Sequence, residues 1–196
     1  MHPHWYSSSP AVQRKIISLY LGSLIAPQGD SATQSTSVST AFEYELEYAR
    51  DPHDVAAVFR WAFRHLKLDG TSFGKDDGSL LGWYDAFSTD EKGKKYPPKA
   101  YSEVLLPLVK PAHVDLLNVI LGLFSSLASH SETNGASGSR LSMSLGHYLL
   151  TGNAVDGKED WPAFYANWER AGRALEHIFL ASLRYSRILF INFTFH

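Results

Sequence analysis

The chain has 196 residues with 44% hydrophobic and 13% aromatic content, which is enough for a buried core and excludes an intrinsically disordered body. Its formal net charge of −2 gives no overall positive field to attract nucleic acid or an acidic membrane. The sequence has no cysteine, so disulfides, thiolate metal sites and thiol nucleophiles are excluded and the cytoplasm is the default compartment.

Residues 1–40 are predicted to form a peripheral or flexible N-terminal segment. The polar run Ser31–Thr40, SATQSTSVST, is typical of a flexible linker. The longest apolar run, Ile16–Ala26, has about 11 residues against the roughly 20 that a membrane-spanning helix needs. We therefore expect no integral membrane segment. For this run, a short buried or partner-contacting helix is favoured over a signal peptide, because polar residues interrupt its core.

The ordered body is predicted to begin near Ala41, with a short acidic helix over Phe42–Arg50. The next helix has the clearest signals in the chain, because Asp51 is suited to cap it and Pro52 fits its first turn. Its apolar face lies at helical spacing: Val55, Val58, Phe59, Ala62, Phe63 and Leu66. A loop-rich region, Thr71–Lys95, follows it.

Two short helices are expected next, one near Trp83–Phe87 and one over Lys99–Leu108. Pro111 then fits the first turn of a longer helix. That helix carries an apolar stripe at helical spacing: Leu116, Ile120, Leu123 and Leu127, widened by Leu117, Phe124 and Ala128. The residues Ser131–Gly135 predict a turn, because Asn134 and Gly135 tolerate positive φ.

A further helix is indicated after this turn by four apolar or aromatic residues: Leu141, Leu145, Tyr148 and Leu149. Asp160 and Pro162 begin the last long helix. Its predicted buried face consists of Trp161, Phe164, Tyr165, Trp168, Leu175, Ile178, Phe179 and Leu183. No strand-period region occurs over residues 41–184, which predicts one all-α domain of about seven helices. Residues 185–196 are an apolar C-terminal tail that the sequence does not assign to this domain.

No catalytic or cofactor-binding motif is present. The sequence lacks a phosphate-binding glycine loop, a nucleophile elbow and a His-Glu-x-x-His zinc motif. The histidines of the body are scattered singly, which is typical of packed or capping residues. The acidic residues near Phe42 are typical of a solvated helix face. The sequence therefore predicts no metal and no cofactor.

Five segments together resemble a known fungal family: FEYELEYARDPHDVAAVFRWAFRHLKLDG, WYDAF, YPPKAYSEVLLPLV, ASHSETNGASGSRLS and DWPAFYANWERAGRALEHIFLASLR. The family comprises bud-emergence suppressors and meiotically up-regulated proteins, and its domain is similar to that of Rho GTPase-activating proteins. The resemblance covers Ala41–Arg184. It implies a RhoGAP-like helical domain, a Rho-family GTPase or polarity scaffold proteins as partners, and a cytoplasmic location, including the cell cortex at sites of polarised growth.

The resemblance also implies individual site residues. Lys99 is similar to the lysine that precedes the Leu-Pro-x-Pro-Leu stretch of activating domains, and Asn134 is similar to their loop asparagine. The later helix asparagine that supports the GTPase contact falls on Arg140 here. The loop that carries the arginine finger corresponds to Asp69–Phe87, which contains no arginine. A finger arginine increases the rate of phosphoryl transfer by about 10³–10⁵-fold. Lys75 is the only cation of the corresponding loop, and its ammonium group lacks the planar guanidinium fork of arginine.

Three functions are compatible with these observations. The first is a non-catalytic RhoGAP-like module that binds a GTPase through Lys99, Asn134 and Arg140. The second is an active GTPase-activating protein in which Arg60, Arg64 or Arg140 serves as the finger. The third is a helical adaptor that binds a peptide in a groove without contacting a GTPase. The missing finger arginine favours the first, so we do not expect an enzyme.

Overall fold

The computed structural model describes residues 8–25, 32–48, 51–65, 68, 73, 81–151 and 160–194. These residues form helices and turns with no β-strand among them, which confirms the predicted all-α class. The α-helices of this part are α1 Pro10–Ile25, α2 Ala32–Glu47, α3 Pro52–His65, α4 Gly82–Gly93, α5 Pro111–Ala128, α6 Ser131–Asn134, α7 Gly138–Gly146 and α8 Trp161–Thr194. Two π-helical turns, Tyr101–Leu105 and His147–Thr151, and a 3-10 turn, Leu106–Leu108, lie between them.

The chain divides into two compact units, Met1–Phe63 and Arg64–His196. The single domain that the sequence predicts over residues 41–184 therefore begins inside the first unit. In that unit α1 packs against α2, with the Tyr20 and Phe42 rings 5.5 Å apart. The Asp54 carboxylate accepts a hydrogen bond of 2.5 Å from the Ser9 amide and so joins α3 to the residue that precedes α1.

The run Ser31–Thr40 differs from its prediction as a flexible linker, because α2 is one helix from Ala32 to Glu47. Serine and threonine are only a few tenths of a kcal/mol less favourable in helices than good helix formers. Contact of α2 with α1 is sufficient to override so small a preference.

In the second unit, α7 packs against α8 at very short range. A Cβ atom on Gly146 would lie 2.5 Å from the carbonyl oxygen of Ala171, and one on Gly172 would lie 2.4 Å from the Met143 sulfur. Only glycine permits this approach, because such distances are far inside van der Waals contact. The close contact fixes α7 on the long helix α8.

The buried face predicted for α8 is correct in its middle and wrong at its ends. Leu175, Ile178 and Phe179 are buried, whereas Trp161 and Tyr165 are 75% and 60% exposed. Leu183 is 39% exposed. Near the start of the helix, the Phe164 ring contacts the His147 ring, with centroids 5.0 Å apart.

Residues 185–194 of the predicted C-terminal tail are helical, since α8 continues to Thr194. Once a helix is nucleated, each further residue adds a hydrogen bond within the same segment, whereas an isolated strand needs a partner. Residues 185–194 therefore extend the last helix beyond the domain end predicted at 184.

Candidate partner-binding surface

Helix α5 is apolar on more than one face, and only one of these faces is buried. The buried residues are His113, Leu117, Ile120, Leu121 and Phe124. Within the predicted apolar stripe, Ile120 is buried, whereas Leu123 and Leu127 are 42% and 37% exposed. Its helical period was right, but a helix with apolar residues around most of its circumference does not reveal which face packs.

Three of the exposed residues define a surface that we call the α5 stripe: Val119, Leu123 and Leu127. They follow one another at intervals of four residues, so they lie on one side of the helix. Val119 is 71% exposed, the largest exposure among the apolar residues of α5. Aligned exposed apolar residues are typical of a surface that a partner covers.

The length and composition of α5 also meet the criterion for a membrane-spanning helix. It has 18 residues with a mean hydropathy of 1.4, and 28% of them are buried within the protein. Core helices of water-soluble folds meet the same criterion. The packing of α5 against α7 and α8 is the behaviour of a core helix. That the chain has no integral membrane segment stays a prediction.

The α5 stripe ends at a polar turn, which we call the 134–140 turn. The Asn134 side chain donates to the Leu127 carbonyl oxygen at 2.9 Å and accepts from the Ala136 amide at 2.7 Å. Gly135 adopts φ 65°, a left-handed conformation that glycine allows at no steric cost. Asn134 thereby fixes the turn directly to the last residue of the stripe.

Arg140 closes the same turn from its other end. Its guanidinium donates to the Gly135 carbonyl oxygen at 3.0 Å, and its amide donates to the Ser137 hydroxyl at 3.3 Å. Ser137 is the N-cap of α7, a position where serine satisfies an otherwise unpaired amide. The structure thus brings Asn134 and Arg140, two of the residues predicted from the sequence, into one exposed turn.

The 134–140 turn is held against the core of the second unit through Gly138. A Cβ atom at this position would lie 2.5 Å from the Phe179 ring. Phe179 in turn makes an edge contact with Phe124 of α5, with ring centroids 5.8 Å apart. The position of the turn is therefore set by the packing of α5, α7 and α8.

The remaining predicted site residues lie elsewhere. The Lys99 side chain is 60% exposed at the start of the Tyr101–Leu105 turn, and its described partner is the Glu103 carboxylate at 3.9 Å. Arg60 lies on α3 in the first unit, and Arg64 is an exposed residue near the end of that helix. Most of the loop expected to carry an arginine finger, residues 69–72 and 74–80 with Lys75, lies outside the described residues.

A second polar site, which the sequence did not indicate, is a charged cluster between α4 and α8. Glu91 is fully buried, and its carboxylate accepts hydrogen bonds from His177 Nε2 at 2.5 Å and from the Arg184 guanidinium. The Tyr84 hydroxyl lies 3.1 Å from the other ring nitrogen of His177. Burial raises the pKa of Tyr84 above its usual value, so this hydroxyl keeps its proton. We call these four residues the Glu91 cluster.

The end of α4 is shaped around this cluster. Lys95 and Tyr96 adopt φ 58° and 57°, and the Tyr96 amide donates to the Glu91 carbonyl oxygen at 2.9 Å. The Tyr96 ring then lies 5.8 Å from the Arg184 guanidinium, in a cation–π contact. Left-handed conformations of non-glycine residues cost on the order of 1 kcal/mol and persist only where surrounding contacts hold them. The cluster was not predictable because its partners are 86 and 93 residues apart in the chain.

In the described ranges, no group of three or more histidine, aspartate or glutamate side chains is arranged to hold a metal ion. The Glu91 carboxylate is satisfied by the Arg184 guanidinium and the His177 ring of the protein itself. Its arrangement is that of a buried, internally compensated ion pair rather than a ligand site.

A family model described as the meiotically up-regulated protein Msb1/Mug8 domain matches residues 76–187. The match covers more than half of the chain and lies wholly within the second unit, which carries the α5 stripe, the 134–140 turn and the Glu91 cluster. No curated protein and no solved structure matches the chain.

Proposed function

Because the chain belongs to the Msb1/Mug8 domain family, we propose that it is a non-catalytic RhoGAP-like module that binds a Rho-family GTPase or a polarity scaffold protein. The family suggests a role in cell polarity. We place its action in the cytoplasm or at the cell cortex where growth is polarised. The proposed binding surface consists of the α5 stripe and the 134–140 turn.

The observation that carries this proposal is the continuity of the two parts of the surface. Val119, Leu123 and Leu127 expose apolar side chains, and Asn134 bonds to the carbonyl oxygen of Leu127 itself. An apolar centre with an arginine at its edge is the usual composition of a protein–protein interface. Arg140 supplies that arginine. Lys99 lies apart from this surface beside Glu103, and its contact with a partner is proposed from the family resemblance alone.

The positions of the arginines favour a module that binds a GTPase without catalysing hydrolysis. The sequence has no arginine between Arg64 and Arg140. A finger must reach the transferring phosphoryl group to provide its ~10³–10⁵-fold effect. The Arg140 guanidinium instead donates to the Gly135 carbonyl oxygen, which occupies it in the structure of its own turn.

Retention of fungal Rho-type GTPases, loaded with GDP or a GTP analogue, by the immobilised full chain tests the binding proposal. Leu123→Asp should reduce retention by about tenfold or more, because a charge is placed in the apolar centre of the interface. Leu180→Asp is the matched control, since Leu180 on α8 is 48% exposed and Leu123 is 42% exposed. Equal retention by the two variants, or no retention by the unmodified chain, would refute the proposed surface.

Single-turnover GTP hydrolysis with the same GTPases tests the non-catalytic part. We expect no stimulation by the chain. Stimulation of about 100-fold or more, within the range of an arginine finger, would establish an active GTPase-activating protein instead. The variants Arg60→Ala, Arg64→Ala and Arg140→Ala would then identify which arginine provides it.

A further inference from the structure

A groove of about 820 Å³ lies between α5 and the C-terminal part of α8, apart from the α5 stripe. Its volume is in the range of ~300–1,000 Å³ that ligand sites occupy. Hydroxyl groups from both sides line it, including that of Ser129, which directly follows α5, and those of Ser182 and Ser186 of α8. We call it the hydroxyl groove.

The serine side chains of the groove are available as hydrogen-bond acceptors. Ser129 donates its proton to the Ser126 carbonyl oxygen at 2.7 Å, and Ser186 donates to that of Ser182 at 3.0 Å. Ser182 donates in the same way to Phe179 at 2.7 Å. A hydroxyl whose proton is used in this way keeps oxygen lone pairs for a ligand N–H group.

A donor is provided at the other side of the groove. The Tyr101 hydroxyl donates to the side-chain oxygen of Asn118 at 2.6 Å, which fixes the orientation of this amide. Burial raises the pKa of Tyr101 to about 12, so the phenol stays a donor at physiological pH. The Asn118 NH₂ group remains a donor for a ligand oxygen. The groove therefore offers both partners that a peptide backbone requires.

The charge of the lining defines the ligand further. Among the described residues that line the groove, Arg187 is the only charged one and none has a carboxylate. A guanidinium forms its strongest hydrogen bonds with carboxylates, in a bidentate geometry. A ligand with acidic side chains is therefore complementary to the groove.

We propose that the hydroxyl groove binds an extended acidic peptide segment of a partner protein. The lining from Asn118 of α5 to Ser129, directly after its end, spans about 16 Å at the helical rise per residue. That length accommodates about five residues of extended chain. This site is independent of the proposed GTPase-binding surface, since its distinguishing residues, Ser186 and Arg187, lie on α8.

Fluorescence anisotropy with the full chain tests the proposal, using labelled peptides of about eight residues, long enough to overhang the groove at both ends. One peptide alternates glutamate with alanine and serine, the second has glutamine in place of every glutamate, and the third has lysine. The glutamate peptide should bind about tenfold more tightly than the glutamine peptide, because it forms charge-assisted hydrogen bonds with Arg187. The lysine peptide should bind least.

Two variants of the groove complete the test. Arg187→Glu should abolish the preference for the glutamate peptide, and Ser186→Phe should weaken binding of all peptides by filling the groove. Arg173→Glu is the matched control, because Arg173 is an exposed arginine of the same helix outside the groove. Circular dichroism melting would verify that each variant is folded. The proposal would be overturned if the glutamate peptide failed to bind, if it bound no better than the glutamine peptide, or if Ser186→Phe left its affinity unchanged. Retention of GTPases by the same variants tests the α5 stripe and the 134–140 turn separately.

Discussion

The Glu91 cluster and the α5 stripe reverse the usual distribution of polar and apolar groups within one unit. Glu91 carries a charge at 0% exposure, whereas Val119 exposes an apolar side chain at 71%. A charge is tolerated inside a protein only when it is paired and hydrogen-bonded, and Glu91 pairs with the Arg184 guanidinium and is hydrogen-bonded to the His177 ring. Among the described residues, the α5 stripe keeps its apolar side chains exposed. The first region is thus completed by the fold, whereas the second is the surface that we propose for a partner.

The largest expected effect is the loss of the buried carboxylate. Glu91→Ala should lower the free energy of unfolding by about 3 kcal/mol or more, because His177 and Arg184 lose their shared partner inside the protein. Urea denaturation monitored by circular dichroism measures this. Glu103→Ala is the control, since its exposed pair with Lys99 at 3.9 Å should contribute less than about 1 kcal/mol. Equal effects of the two substitutions would show that the cluster does not stabilise the fold.

An intermediate effect of opposite sign is expected at a buried polar group without a partner. The Ser142 hydroxyl is fully buried in α7, and no group in the described part of the chain bonds to it. Ser142→Ala should raise the free energy of unfolding by about 1 kcal/mol, because it removes a desolvation cost with little loss of volume. Thermal and urea melts would detect the change. A loss of stability would mean that Ser142 is hydrogen-bonded in solution, and that buried polar groups of this unit are generally compensated.

The smallest effect on stability is expected at the stripe itself. Leu123→Ala should change the free energy of unfolding by less than about 1 kcal/mol, since a half-exposed leucine loses only part of the transfer energy of a buried one. Leu117→Ala, one and a half turns earlier on the buried face, should cost about 2–5 kcal/mol. Comparison of the urea unfolding midpoints of the two variants measures how much more the buried face of α5 contributes to stability than the exposed face. Similar costs would show that the stripe is covered within the chain.

The local pattern predicted α3 well. Asp51, Pro52 and an apolar face at helical spacing are adjacent in the sequence, and α3 begins at Pro52 as expected. The turn after α5 was predictable for the same reason, because Asn134 and Gly135 favour it by their own backbone preferences. The hydrogen bonds of Asn134 and Arg140 also close within seven residues or fewer. They agree with the turn that the sequence predicts at Asn134, and the role of both residues in partner binding stays a prediction.

The buried faces were predicted less well where several residues compete for the core. On α8, Trp161 and Tyr165 have the same helical spacing as the buried Leu175 and Ile178, yet they are exposed. On α5, Leu123 and Leu117 are equally apolar and lie on different faces. Spacing along one helix specifies which residues share a side, but it contains no information about where the neighbouring helices lie.

The sequence by itself therefore determined the all-α class, the main helices and the turn at Asn134, because these depend on interactions between residues close in the chain. The tertiary structure decided which side of α5 is buried, where α7 meets α8 through Gly146 and Gly172, and how Glu91 is paired. These outcomes depend on contacts between segments far apart in the sequence, whose geometry is fixed only when the helices pack together.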